Sequence, residues 1–151
     1  MITLTKDMEI GVAKIDEQHK ELIDRINTIV SMGLKSVSKE ETQKTLDLLG
    51  RYVVQHFSDE EALQRKCNYP KYEWHRELHH KFIGDFMKIK EVFAENGPSV
   101  KFTVELNNRL IHWIVKHIKN VDAEFGKFYT SQKITPSITE TDYSCAASIV
   151  Q

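Results

Sequence analysis

The chain has 151 residues, enough for one domain with a buried core, and its 40% hydrophobic and 28% charged residues are ordinary for a globular protein. A net charge of −1, with no stripe of Lys or Arg, argues against a nucleic-acid partner, and no apolar run approaches the roughly 20 residues of a membrane span. No apolar signal-peptide centre lies between Met1 and Ile15, and the two cysteines, Cys67 and Cys145, read as incidental thiols, so a cytoplasmic protein is expected.

After a polar N-terminal arm, the first helix is expected from about Asp16 to Leu34. Ser38 and Glu41 have capping-box spacing and open a second helix that runs to about Lys66. Cys67-Asn68-Tyr69-Pro70 is a turn, with Pro70 suited to the opening of a third helix. Asn96-Gly97-Pro98 stops that helix, and Ser99 caps a fourth, which reaches at least Ile118. The connections are short and no strand period appears. The expected fold is all-α: an up-down-up-down antiparallel four-helix bundle with an N-terminal arm and a C-terminal tail. The bundle is assigned to 1–129. The Thr-, Ser- and Glu-rich segment 130–151 is an appended tail without an assigned role.

Each helix carries one apolar stripe in steps of three and four. The stripes run Ile15, His19, Leu22, Ile26, Ile29; then Leu46, Leu49, Val53, His56, Glu60, Leu63; then Tyr72, His75, His79, Phe82, Phe86, Ile89, Phe93; and finally Leu106, Leu110, Trp113, His117. They are broken only by histidines and a carboxylate, and a bundle core rejects unpaired polar groups. A shared metal is the obvious partner. His56 with Glu60, and His75 with His79, are i, i+4 pairs on one helix face. The step from His117 to Asp122 is five, so the helix must bulge or end there for both to reach one site. His80 and His112 point away from the stripes. Glu17 and Glu61 read as outward-facing, and Asp16 and Gln18 either back a ligand or cap the first helix.

The segments Ile15-Asp16-Glu17-Gln18-His19, His56-Phe57-Ser58-Asp59-Glu60-Glu61, His75-Arg76-Glu77-Leu78-His79 with Phe82, and Trp113-Ile114-Val115-Lys116-His117-Ile118 followed by Asp122 resemble the hemerythrin family in its single-domain bacterial form. The resemblance implies a non-haem, oxo- or hydroxo-bridged di-iron centre. In it His75, His79 and His117 bind one iron, His19 and His56 bind the other, and Glu60 and Asp122 bridge the pair. One coordination position stays open on the iron with two histidines. The implied activity is reversible dioxygen binding by internal redox chemistry, for oxygen storage or delivery. Such chemistry needs a dry pocket, for which Phe57, Trp113 and Ile114 are the candidate walls, with Phe82 one turn beyond His79. The protein is then expected not to be an enzyme and to be a monomer, with dioxygen as ligand and an oxygen-consuming enzyme as candidate partner.

Two other functions compete. A di-iron oxidase or peroxidase of the ferritin-like kind uses Glu-x-x-His on two helices, and here Glu77 and His80 make one such match without a second. An oxygen, iron or redox sensor module would need an output, for which the tail is the only candidate. Zinc prefers four ligands, and this set offers more.

Overall fold

A computed structural model describes residues 2–3, 5–33 and 37–132. Among these residues there is no strand. A single 3-10 turn, Lys6–Met8, precedes helices α1 (Ala13–Gly33), α2 (Lys39–Lys66) and α3 (Tyr72–Asn96). The fourth helix, α4, is continuous over 100–131 but not uniform. α-Helical segments Val100–Glu105, His112–Lys116 and Ala123–Ser131 are separated by two wide π-type turns, Leu106–Ile111 and His117–Asp122.

The caps follow local chemistry. Ser38 Oγ accepts the Glu41 N–H at 3.1 Å and Ser99 Oγ accepts the Phe102 N–H at 3.2 Å, each satisfying a donor the helix leaves unpaired. The capping box at Ser38 is one-sided, because the Glu41 carboxylate meets the Ser38 hydroxyl at 3.5 Å rather than its backbone N–H. α1 starts three residues before the expected Asp16, since Asp16 does not cap the helix but reaches back to the arm. Its carboxylate accepts the N–H groups of Ile10 and Gly11 at 2.7 and 3.1 Å. α3 opens at Tyr72, after Pro70, and Gly97 ends it at φ +60, where a residue without Cβ is at ease.

Two apolar clusters flank one polar layer, and their order along each helix gives the topology. Along α1 the chain passes Ile15, then His19, then Leu22 to Ile29. α2 reverses this, from Leu46 to Phe57, then Glu60, then Leu63. α3 ascends through His75 and His79 to Phe82 and beyond, and α4 descends from Phe102 through Ile118 and Asp122 to Phe125. Consecutive helices pack against each other, so the bundle is up-down-up-down as expected. The stripe positions are buried, except that Tyr72 and Trp113 are only half-buried.

In α4 a row of buried positions, Phe102, Leu106, Leu110, Ile114, Ile118 and Asp122, runs in unbroken steps of four, with His117, Phe125 and Gly126 buried beside it. On an ideal α-helix five such steps drift by about 200°. Each wide turn absorbs one extra residue, about 100°, so the two π-type turns keep the stripe facing inward.

The arm crosses the end of the bundle at Gly126. A Cβ placed there would lie 2.1 Å from the Ile10 carbonyl oxygen, whereas one on Gly84, exposed in α3, would meet nothing within 4 Å. Gly126→Ala should therefore destabilise the chain by about 1–3 kcal/mol by lifting the arm, and Gly84→Ala should stabilise it by about 0.5–1 kcal/mol. Denaturant unfolding of the two variants checks both signs. Thr130 and Ser131 continue α4 rather than starting the tail, and Thr130 Oγ1 donates to the Gly126 carbonyl at 2.9 Å. The rest of the expected tail, 133–151 with Cys145, lies outside the described residues, as does Leu34 at the expected end of the first helix.

Candidate metal centre

All seven residues singled out in the sequence are at most 3% exposed and lie in the polar layer. Five of them, Glu60, His75, His79, His117 and Asp122, present donor atoms within 4.8 Å of one another. His117 Nε2 is 3.1 Å from both His75 Nε2 and His79 Nε2. Asp122 Oδ1 lies 3.0 Å from His117 Nε2 and 3.1 Å from His75 Nε2, and Glu60 Oε2 lies 3.4 Å from His79 Nε2 and 3.6 Å from His75 Nε2. His19 and His56 stand apart from this group, with ring centroids 4.9 Å from each other. They join it through Asp122, whose Oδ2 is 3.1 Å from His19 Nε2.

The π-type turn makes this geometry. It carries Asp122 far enough round the helix to share a face with His117, which an ideal five-residue step of about 140° would not.

The donor set fits a metal. Among the described residues, His19 Nδ1 and Nε2, His56 Nε2 and all four carboxylate oxygens of Glu60 and Asp122 are buried without a hydrogen bond of acceptable geometry. Orphans of this kind are rare in a folded core. Metal–nitrogen bonds of about 2.1 Å imply octahedral edges of about 3.0 Å, close to the separations around His117. Five donors in one cluster also exceed the tetrahedral complement of a structural zinc.

Without a metal, the charges arrange themselves against burial. Burial raises the Glu60 carboxyl above its usual range, and the neighbouring Asp122 carboxylate raises it further. Burial opposes ionisation of Asp122 too, but His117, His19 and His75 outweigh it and hold its pKa well below normal. Burial depresses His56 and His117, whereas at His19 it is overcome by Asp122, which raises that imidazole. A bound cation inverts this logic and favours ionised carboxylates with neutral imidazoles.

Three side chains fix ring orientation from outside the cluster. His56 Nδ1–H donates to Gln18 Oε1 at 3.2 Å, and Gln18 Nε2 donates in turn to Asp59 at 2.7 Å, which pairs with Lys14 at 3.2 Å. His79 Nδ1–H donates to Glu61 at 2.9 Å. Glu61 is thus not an outward-facing surface carboxylate, because the turn it occupies leans over the α3 ring it orients. His75 Nδ1 lies 2.9 Å from the Gln64 amide. The atom placed there is Gln64 Nε2, with Gln64 Oε1 buried and unpartnered. Because His75 Nε2 turns inward and Nδ1 carries the proton, the network requires the amide turned over so that its oxygen accepts. Glu17, His80 and His112 are exposed and make no part of the site.

Aromatic rings brace the imidazoles. Phe57 stacks on His79 with centroids 3.8 Å apart, and Trp113 stacks on His117 at 4.2 Å. Phe82 closes the group, 4.4 Å from Trp113 and 5.7 Å from Phe57. Ile114 is fully buried in the apolar cluster above. Sequence reasoning missed Gln64 and Tyr69. Gln64 continues the His56–Glu60 register by one more turn, which was the available signal. Tyr69 looks like a turn residue, yet its buried hydroxyl lacks a partner and burial raises it to about 12, with Glu124, Glu60 and Asp122 adding to the shift.

Gln64→Leu keeps the volume but removes the acceptor for His75. Metal affinity is expected to fall about tenfold to a hundredfold, with little loss of fold. A chelator competition that finds unchanged affinity would remove Gln64 from this role.

A four-helix bundle with buried imidazoles and carboxylates from all four helices defines a non-haem metal-binding bundle protein. The family model for the hemerythrin HHE cation binding domain matches residues 10–129. A bacteriohemerythrin of Campylobacter jejuni is 31% identical over 116 residues, covering 76% of this chain and 85% of that one. A myohemerythrin of Theromyzon tessulatum is 27% identical, covering 78% and 84%. A crystal structure of wild-type hemerythrin superposes with a TM-score of 0.72 at 28% identity, covering 84% of this chain and 96% of that one. The chain belongs to the hemerythrin family.

Proposed function

We propose that this protein binds dioxygen reversibly at a pair of iron ions, for storage or for delivery to an oxygen-consuming enzyme. His75, His79 and His117 would hold one iron, His19 and His56 the other, and Glu60 and Asp122 would span both. The observation that carries this reading is the two-sided placement of Asp122, with Oδ1 toward His75 and His117 and Oδ2 toward His19. Bound iron would supply the electrons that make oxygen uptake reversible.

The chain's own residues supply the rest. Gln18, Glu61 and Gln64 hold a proton on Nδ1 of His56, His79 and His75, leaving each Nε2 free to donate a lone pair inward. Phe57 and Trp113 lock two rings in place, and Ile114 with Phe82 keeps water out of the apolar side. A set of five histidines and two carboxylates favours a carrier over an oxidase, whose sites are built mainly from glutamates. No described helix is long and apolar enough to cross a membrane.

The test is iron content with a visible spectrum under air, after deoxygenation, and on readmitting air. About two irons per chain, with colour that follows oxygen, is the expected result. A spectrum locked in the oxidised state would move the reading to sensing or catalysis, and absence of iron would end it.

A further inference from the structure

The π-type turn at His117–Asp122 also shapes the outside of the bundle. A groove of about 320 Å³ runs there between α3 and α4, walled by Trp74 and Leu78 on one side and by Trp113 and Val121 on the other. Lys116 and Asn120 line its rim, and the ring of His117, 3% exposed, forms part of its lining. Trp74 is 46% exposed, a large aromatic left in water, and Lys71 Nζ sits 5.9 Å over its ring. Two indoles, flanking aliphatics and the Lys116 ammonium make a site for a flat, anionic aromatic molecule, while Lys71, which is paired with Glu124, packs on the Trp74 face.

The groove adjoins the centre through stacked rings. Trp113 lies nearly parallel to His117, at 14° and 4.2 Å, so its indole is in face contact with a ligand imidazole. Phe57, Phe82, Ile114 and the apolar clusters cover the centre along the bundle axis, and the polar side chains Gln18, Glu61 and Gln64 back its rings at the sides. Trp113 is thus the aromatic ring that links a ligand imidazole to this groove.

We propose that this groove is the electron port of the protein, where a reduced flavin docks against Trp74 and Trp113 and passes electrons through Trp113 and His117 into an oxidised centre. The inference rests on the iron reading above. One flavin hydroquinone gives up two electrons, one to each ferric ion, becomes oxidised flavin and releases its protons to solvent. The port lets a centre that has lost its oxygenated state return to the ferrous form without opening the dry pocket.

The experiment uses iron-loaded protein and flavin mononucleotide. Oxidised flavin mononucleotide titrated with the protein should lose its own fluorescence saturably. Trp74→Ala should raise the half-saturation point about tenfold, the size expected for losing one aromatic stack. Lys116→Glu should also weaken binding, and Met87→Ala, on the far side of α3, should not. In stopped flow, the rate of ferric bleaching by reduced flavin mononucleotide should saturate and shift in parallel, while bleaching by dithionite stays the same in Trp74→Ala. Quenching that does not saturate, or rates equal in wild type and Trp74→Ala, would overturn the port. A chain without iron, or with colour that dithionite cannot bleach, would defeat the iron reading itself, and flavin binding to such a chain would show a groove with no electron role.

Discussion

Stripped of metal, the protein is expected to melt at least about 10 °C lower than the iron-loaded form, with the loss centred on the polar layer. Seven donor atoms of His19, His56, Glu60 and Asp122 are already buried without hydrogen bonds, and each such group costs about 1–3 kcal/mol when nothing replaces water. Their sum is comparable with the whole stability of a domain, about 5–15 kcal/mol, so the chain cannot keep all of them dry. Water will enter the layer and recover part of that cost. A residual deficit of about 5 kcal/mol corresponds to about 10–20 °C for a chain of this size. Amide exchange should localise the change: faster around His19, Glu60, His75 and Asp122, and slower to respond around Phe93, Phe102 and Ile29, which belong to the purely apolar cluster. An apo form that melts within a degree or two of the loaded form would show that the layer is satisfied without metal.

The contrast between α3 and α4 shows how much of this was legible in the sequence. In α3 the spacing of His75, His79, Phe82, Phe86, Ile89 and Phe93 matches an undisturbed helix, and each side chain is buried as the period requires. In α4 the period fails, because the steps of four from Phe102 to Asp122 belong to no ideal helix. An α-period reading chose Trp113, which is half-buried, and passed over Ile114 and Ile118, which are fully buried. The awkward five-residue step from His117 to Asp122 was the visible trace of one wide turn. The other, Leu106–Ile111, left none that a single periodic template could detect. Ligand identities were readable because a polar side chain on a core stripe is an anomaly in itself. The orienting partners were legible only in part, because Gln18 and Glu61 sit beside the stripes, where polar residues are the norm: Gln18 stood open between backing a ligand and capping α1, and Glu61 read as outward-facing. Only the third dimension shows that Glu61 of α2 reaches His79 of α3.

If the chain carries oxygen as proposed, Ile114→Ala should speed loss of the oxygenated colour about tenfold or more, equivalent to about 1.4 kcal/mol off the barrier. The side chain is fully buried, and truncating it leaves a cavity that costs about 2–5 kcal/mol of stability. An apolar cavity alone would stay dry. This one lies in α4 one turn before His117, in the same apolar cluster as Phe57 and Phe82 and next to the layer with its unpaired polar atoms, so a water entering it finds partners. Protons delivered by such water would turn reversible release into irreversible oxidation. Leu106→Ala is the control, since Leu106 is 2% exposed on the same stripe but two turns further from the layer. It should lose comparable stability while keeping the wild-type oxidation rate. Equal acceleration in both variants would mean that general loosening of the bundle governs oxidation. An unchanged rate in Ile114→Ala would take this residue out of the pocket and leave water exclusion to the aromatic rings stacked on His79 and His117.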